Sequence, residues 1–200
     1  MSRSCSYVSE NNTKYRLEVV SGEVRRLSRL IRRYLEHLRT PQPSPTPTDL
    51  RSVVLDVLDA LEPTLMRTGV QLELDFAPGV EAPIACDREQ IEQLIVNLVQ
   101  NAVDAMPAGG ELTVRLDHAD TGRALSVCDE GSGIASDVRE HVFEPFFTTK
   151  GGGRGSGLGL AICREIARAH GGEVQLASKA GIGTVVTVTL KPLATGRGPV

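Results

Sequence analysis

The chain has 200 residues, 40% of them hydrophobic, and a formal net charge of −3, enough apolar material for one main domain with a smaller appendage. The charge gives no electrostatic case for a nucleic-acid partner, and no apolar run approaches the roughly eighteen residues of a membrane span. Cys5, Cys86, Cys128 and Cys163 lack the paired spacing of a zinc site or a disulfide framework, which predicts a reducing, cytoplasmic setting without membrane contact, although a longer membrane-anchored parent is compatible with this composition.

Residues 1 to 14 carry no clear period. From Leu17 the apolar positions Leu17, Val20, Val24, Leu27, Ile31, Tyr34 and Leu38 alternate in threes and fours, the seam of a helix that packs in a bundle or pairs with a second copy. A homodimer through residues 17–38 is the expectation. The alternative is a helix lying on its own domain, toward which Leu30 and Leu35 widen the stripe. Arg25, Arg26, Arg29, Arg32, Arg33 and Arg39 read as its solvated face, or as a basic docking surface. The proline-rich run Thr40 to Pro47 cannot be helical and predicts a linker over 41–47, between an N-terminal helical segment (1–40) and a main domain (48–192). The tail from 193 to 200 is expected to be disordered.

Thr48 or Asp49 is expected to cap a helix with Leu50, Val53, Val54, Val57, Leu58, Leu61 and Leu65 on one face, kinked or shortened by Pro63. Val70, Leu72, Leu74 and Phe76 alternate with polar residues, and Ala77-Pro78-Gly79 predicts a hairpin into a strand at Ile84 and Cys86. Asp87 predicts the cap of a long helix to Ala105, with Ile91, Leu94, Ile95, Leu98, Val99 and Ala102 inward and Pro107 to Gly110 as its stop. Strands follow at Leu112 to Leu116 and Ala124 to Cys128, then a helix from Leu160 to His170, and strands at Val174 to Ala177 and Thr184 to Leu190. This order predicts an α+β fold, a two-layer α/β sandwich with its helices on one face, preceded by a long coiled-coil-like helix.

Four clusters carry chemistry. Asn97 and Asn101 lie four apart on one helix face, where neutral amide oxygens can ligate Mg2+ without repelling a triphosphate. Asp129 ends a strand ahead of Glu130-Gly131-Ser132-Gly133-Ile134, a carboxylate placed to accept an amino donor of a flat base, though an Asp-Gly pair also serves as a plain turn. Three of the four phenylalanines, Phe143, Phe146 and Phe147, stand beside Lys150 and Gly151 to Gly153, a clasp for a glycine-rich lid or filling for the core, with Lys150 or Arg154 able to reach phosphate. Gly155-Ser156-Gly157-Leu158-Gly159-Leu160 feeds a helix N-terminus, either as a tight turn or as a phosphate cradle.

In order and spacing, Asn97 to Ala105, Asp129 to Ile134, Phe143 to Lys150 and Gly155 to Leu160 resemble the N, G1, F and G2 boxes of bacterial sensor histidine kinases. Gly181-Ile182-Gly183-Thr184 resembles the family's closing glycine motif. The resemblance spans about Thr48 to Leu190 and implies the ATP-binding fold shared with gyrase, MutL and the large heat-shock chaperones. It implies that Asn101 ligates Mg2+ with Asn97 assisting, that Asp129 accepts the adenine amino hydrogen above Gly131 and Gly133, and that Gly155, Gly157, Leu158 and Gly159 bring a helix end to the phosphates, with Lys150 a lid-side contact.

The family transfers the ATP γ-phosphoryl to a histidine on a helical hairpin and from there to the receiver domain of a response regulator. Leu17 to Leu38 resembles the second arm of that acceptor-histidine hairpin, and the first arm is expected outside this sequence. Glu36-His37-Leu38-Arg39-Thr40-Pro41 transposes the first two residues of the acceptor box and runs into the linker, which argues against His37 as acceptor. Two alternatives remain: a gyrase-type ATPase, disfavoured because Asn97 stands where those relatives carry a glutamate base, and a non-catalytic nucleotide-binding module.

Overall fold

In the computed structural model residues 42–81, 83–150 and 155–192 are described. The expected helix at 17–38, its dimer seam and the tail from 193 lie outside them.

The main unit opens on strand β1 (Thr46–Thr48), so the end of the proline-rich run is built into the fold. Helix α1 (Leu50–Thr68) follows, with the Asp49 carboxylate accepting the Arg51 N–H at its start and the Gly69 N–H closing on the carbonyls of Leu65 and Met66. Pro63 does not end this helix, which continues to Thr68. Strand β2 (Val70–Phe76), strand β3 (Ile84–Cys86), helix α2 (Arg88–Ala105), strands β4 (Gly110–Ala119) and β5 (Gly122–Asp129), helix α3 (Gly159–Ala169), and strands β6 (Glu173–Lys179) and β7 (Gly183–Leu190) complete the order. The strands run one to three residues beyond the expected alternation at several ends, because polar residues such as Asp117 and His118 keep their ladder partners.

The five-stranded sheet has the order β2-β4-β5-β7-β6. β2 pairs parallel with β4, Val70 opposite Gly110, and the other pairs are antiparallel. The expected hairpin between β2 and β3 is therefore absent: β3 pairs antiparallel with β1, Thr46 opposite Cys86. The Ala77 N–H instead donates to the Leu116 carbonyl, extending the β2–β4 edge, and α2 becomes the crossover of a β–α–β unit.

The helices lie on one face with α2 between α1 and α3. Alternation on the strands aims Leu112, Val114 and Leu116 of β4, Leu125 and Val127 of β5, and Val186, Val188 and Leu190 of β7 at that layer. They meet Val53, Val54, Ile91, Leu94, Ile95, Leu98, Cys163 and Ile166, all 2% exposed or less. The opposite face is polar at its β2–β4 end, where Asp75 and Arg115 pair at 3.3 Å. Leu72 and Leu74, inward by alternation, stay exposed on the edge strand β2, between Val70 and Phe76, which pack against the core.

Candidate functional site

The C-terminal half of α2, the loop after β5, the segment 142–150 and the start of α3 converge at one end of the helical layer. α2 is fixed first: Asp87 caps it by accepting the Gln90 N–H at 3.1 Å, and its apolar face buries Leu94, Leu98 and Ala102. This leaves Asn97, Asn101 and Asp104 on the flank that looks along the site. The side-chain nitrogens of Asn97 and Asn101 are buried without a hydrogen-bond partner. A buried unpartnered amide N–H costs about 1–3 kcal/mol, so neither side chain is placed here to stabilise the fold through that group.

α3 begins at Gly159, against Asn101: a Cβ on Gly159 would lie 3.2 Å from the Asn101 side-chain nitrogen. The first residue of α3 is thus a glycine that sequence periodicity leaves outside the helix. No side chain caps this end, which leaves its first-turn N–H groups and the positive end of the helix dipole to an anion. Gly157, at φ 67°, passes so close to the Phe146 and Phe147 backbone that a Cβ would overlap it, and its carbonyl accepts the Phe146 N–H at 2.8 Å. Phe146 itself stands at φ 69°, the one non-glycine residue in that region among those described, and such strain is found where surrounding structure imposes it. The Leu158 side chain is 3% exposed; it anchors the loop in the core and leaves only its backbone for a ligand.

Asp129 ends β5 with its side chain on the inward face, in line with Val127 and Leu125. Its carboxylate accepts the Gly131 N–H at 2.9 Å. Burial pushes its pKa above the ordinary carboxylate value, while the backbone N–H groups of Gly131 and Thr184 pull it back. Gly131 lies on the end of α2, 2.6 Å from the Ala105 carbonyl to a would-be Cβ, and the Ser132 N–H donates to that carbonyl. Gly133, at φ 63°, crosses the Lys179 backbone where any Cβ would overlap it.

Two residues that sequence reasoning passed over support this arrangement. The Ser178 hydroxyl accepts the Ile134 N–H at 2.8 Å and lies 2.9 Å from both the Gly183 carbonyl and Thr184 Oγ1, fastening the post-β5 loop to the β6–β7 turn. Its signal was a polar residue on the inward register of β6, after Val174 and Leu176. Asp104, within the segment Asn97 to Ala105, holds Lys150 at 2.8 Å. Lys150 therefore rests on a carboxylate, while Arg154 lies outside the described residues. The phenylalanines do not fill the core: Val142 is the buried residue there, Phe143 lies under the Arg164 guanidinium at 5.7 Å, Phe147 stands 5.8 Å from the His141 ring, and Phe146 is exposed.

Residues 86–194, more than half of the chain, match the family described as histidine kinase-, DNA gyrase B-, and HSP90-like ATPase. Sporulation kinase D of Bacillus subtilis (strain 168) is 30% identical over 188 residues, covering 92% of this chain and 36% of that kinase. Full-length ShkA, solved in complex with AMPPNP, superposes with a TM-score of 0.64 at 28% identity, covering 76% of this chain and 32% of ShkA. Histidine kinase ThkA, solved in complex with the response regulator protein TrrA, gives a TM-score of 0.72 at 25% identity, covering 92% of this chain and 53% of that one. The chain spans between 20% and 40% of the length of the curated relatives it matches. With the two asparagines of α2, two glycine-bearing loops and the segment 142–150 gathered at one end of a mixed sheet and its helical layer, and with these likenesses, the chain belongs to the histidine kinase-, DNA gyrase B-, and HSP90-like ATPase family and carries the catalytic ATP-binding domain of the sensor histidine kinases.

Proposed function

We propose that residues 48–192 bind ATP with Mg2+ and present its γ-phosphoryl to a histidine on a helical hairpin, for relay to the receiver domain of a response regulator. The observation that carries this reading is the meeting of α2 and α3, where the orphaned Asn101 amide faces the uncapped helix start at Gly159. The residues fit a magnesium-bound triphosphate: Asn101, with Asn97 one turn before it, offers neutral oxygens, and the 155–159 loop offers backbone N–H groups. When bound, Mg2+ supplies charge neutralisation along the phosphates. Asn101 and Asn97 then orient the metal side of the nucleotide, Asp129 accepts from the base amino group, and Gly131 and Gly133 let the backbone pass beneath the ring. No side chain in this set is a covalent nucleophile, so the contribution of the chain is positioning. Asn97 cannot act as a general base, which favours transfer over hydrolysis. ShkA with AMPPNP and ThkA with TrrA support the nucleotide and the receiver partner by likeness.

The test mixes the chain with γ-labelled ATP and a separate acceptor-histidine hairpin. Acid-labile label on the hairpin is expected, dependent on Mg2+ and lost in Asn101→Ala. Release of free phosphate with an unlabelled hairpin would instead identify an ATPase.

A further inference from the structure

We propose that Asp104 is a positioning residue for the phosphate end of the nucleotide, acting through Lys150. This rests on the reading of the site given above and adds a residue and a role to it. Asp104 lies three residues beyond Asn101, on the same flank of α2. Its two carboxylate oxygens are divided between two partners: Oδ1 accepts from the Gln100 side-chain nitrogen at 3.0 Å, and Oδ2 receives the Lys150 ammonium at 2.8 Å. Gln100 and Asp104, four apart on the helix, form a pair oriented before Lys150 arrives.

The stem of Lys150 is steered as well. Its backbone N–H donates to Thr148 Oγ1 at 3.1 Å. A Cβ on Gly155 would lie 2.7 Å from that same hydroxyl and 3.4 Å from Lys150 Cδ. The lysine thus crosses the first glycine of the 155–159 loop and reaches α2, and Asp104 holds its far end. The ammonium carries three donors and spends one on Asp104, which leaves two for phosphate oxygens. A lysine stem has four rotatable bonds, so without an anchor its charge is spread over many positions.

The opposing effect is explicit. A carboxylate one turn from the metal-side asparagine repels phosphate, and if repulsion outweighed anchoring, its removal would tighten binding. The two effects differ in sign, which makes the assignment testable. Calorimetric titration of the chain with ATP and Mg2+, and separately with adenosine, is compared for the unaltered protein, Asp104→Asn, Asp104→Glu, Lys150→Met and the double variant of Asp104→Asn with Lys150→Met. The expected result is that Asp104→Asn weakens ATP by about three- to fivefold, the upper range of a half-exposed ion pair. Adenosine affinity and melting temperature stay unchanged, Asp104→Glu recovers part of the loss, and Asp104→Asn adds nothing once Lys150 is Met. Unchanged or tighter ATP binding in Asp104→Asn overturns the proposal while leaving the nucleotide site intact, as does an equal loss for adenosine. Absence of ATP binding in the unaltered protein overturns both.

Discussion

Asp129 is a half-buried carboxylate whose ionisation opposes burial. Burial raises its pKa, so the folded chain prefers it protonated; that contribution is complete below the ordinary carboxylate value and is lost as pH rises through the raised one. The melting temperature of Asp129→Asn, taken relative to the unaltered protein, should therefore climb between pH 4 and pH 7 in thermal scans, while ATP affinity at pH 7 falls about tenfold for the lost charge-assisted hydrogen bond. A difference independent of pH would contradict the buried-charge account. This residue and its glycines were legible because strand end, carboxylate and turn are adjacent in sequence. Ser178 and the Asp104–Lys150 pair were not, since their partners lie 44 and 46 residues away and neither belongs to a local pattern.

Among the elements, α2 was the most readable, its cap at Asp87 and its end at Ala105 both given by local chemistry. β2 was the least. Its alternation identifies a strand but not a partner, and the Pro78-Gly79 turn that suggested a hairpin leads away from it; the pairing with β4 is closed 40 residues later by the helix between them. Pro63 does not shorten its helix for a related reason: a lost N–H and a local clash within one long helix are offset by the packing of the turns on either side. The joint between α2 and α3 depends on His170, fully buried at the end of α3. Its Nδ1 donates to the Ile166 carbonyl at 2.9 Å and its Nε2 accepts the Asp87 N–H at 3.0 Å, a pattern that only the neutral ring satisfies. Burial lowers its pKa below the usual imidazole value, so its stabilisation is complete above about pH 6.5 and fades as the solution is acidified. His170→Asn should cost about 1–3 kcal/mol at pH 7.5 in urea melts, and the gap to the unaltered protein should narrow toward pH 5. A constant gap would remove the imidazole from this role.

For the molecule as a whole, one core unites the layers, with Leu94 at its centre and fully enclosed. Leu94→Ala should lower stability by about 2–5 kcal/mol, a large share of the roughly 5–15 kcal/mol typical of a domain. The urea midpoint should fall without a second transition, and nucleotide binding should vanish together with the fold rather than before it. The overall class, a sheet with helices on one face, followed from the order of elements; the mixed strand order did not, because it depends on which edges meet across the chain.

The His170 contact has a mechanical consequence. α2 and α3 are joined at the Asp87–His170 end and again midway, where the Cys163 thiol donates to the Leu94 carbonyl at 3.7 Å, before they meet at Asn101 and Gly159. The 11 residues of α3 make an arm about 16 Å long, so a swing of about 5° at the Asp87–His170 end displaces Gly159 by about 1.4 Å. A misplacement of about 1 Å is enough to cost about a hundredfold in a reaction that depends on alignment. The same Asp87 carboxylate accepts the Ser44 N–H at 2.8 Å, so the chain entering the domain is tied to the end of α2 that His170 holds.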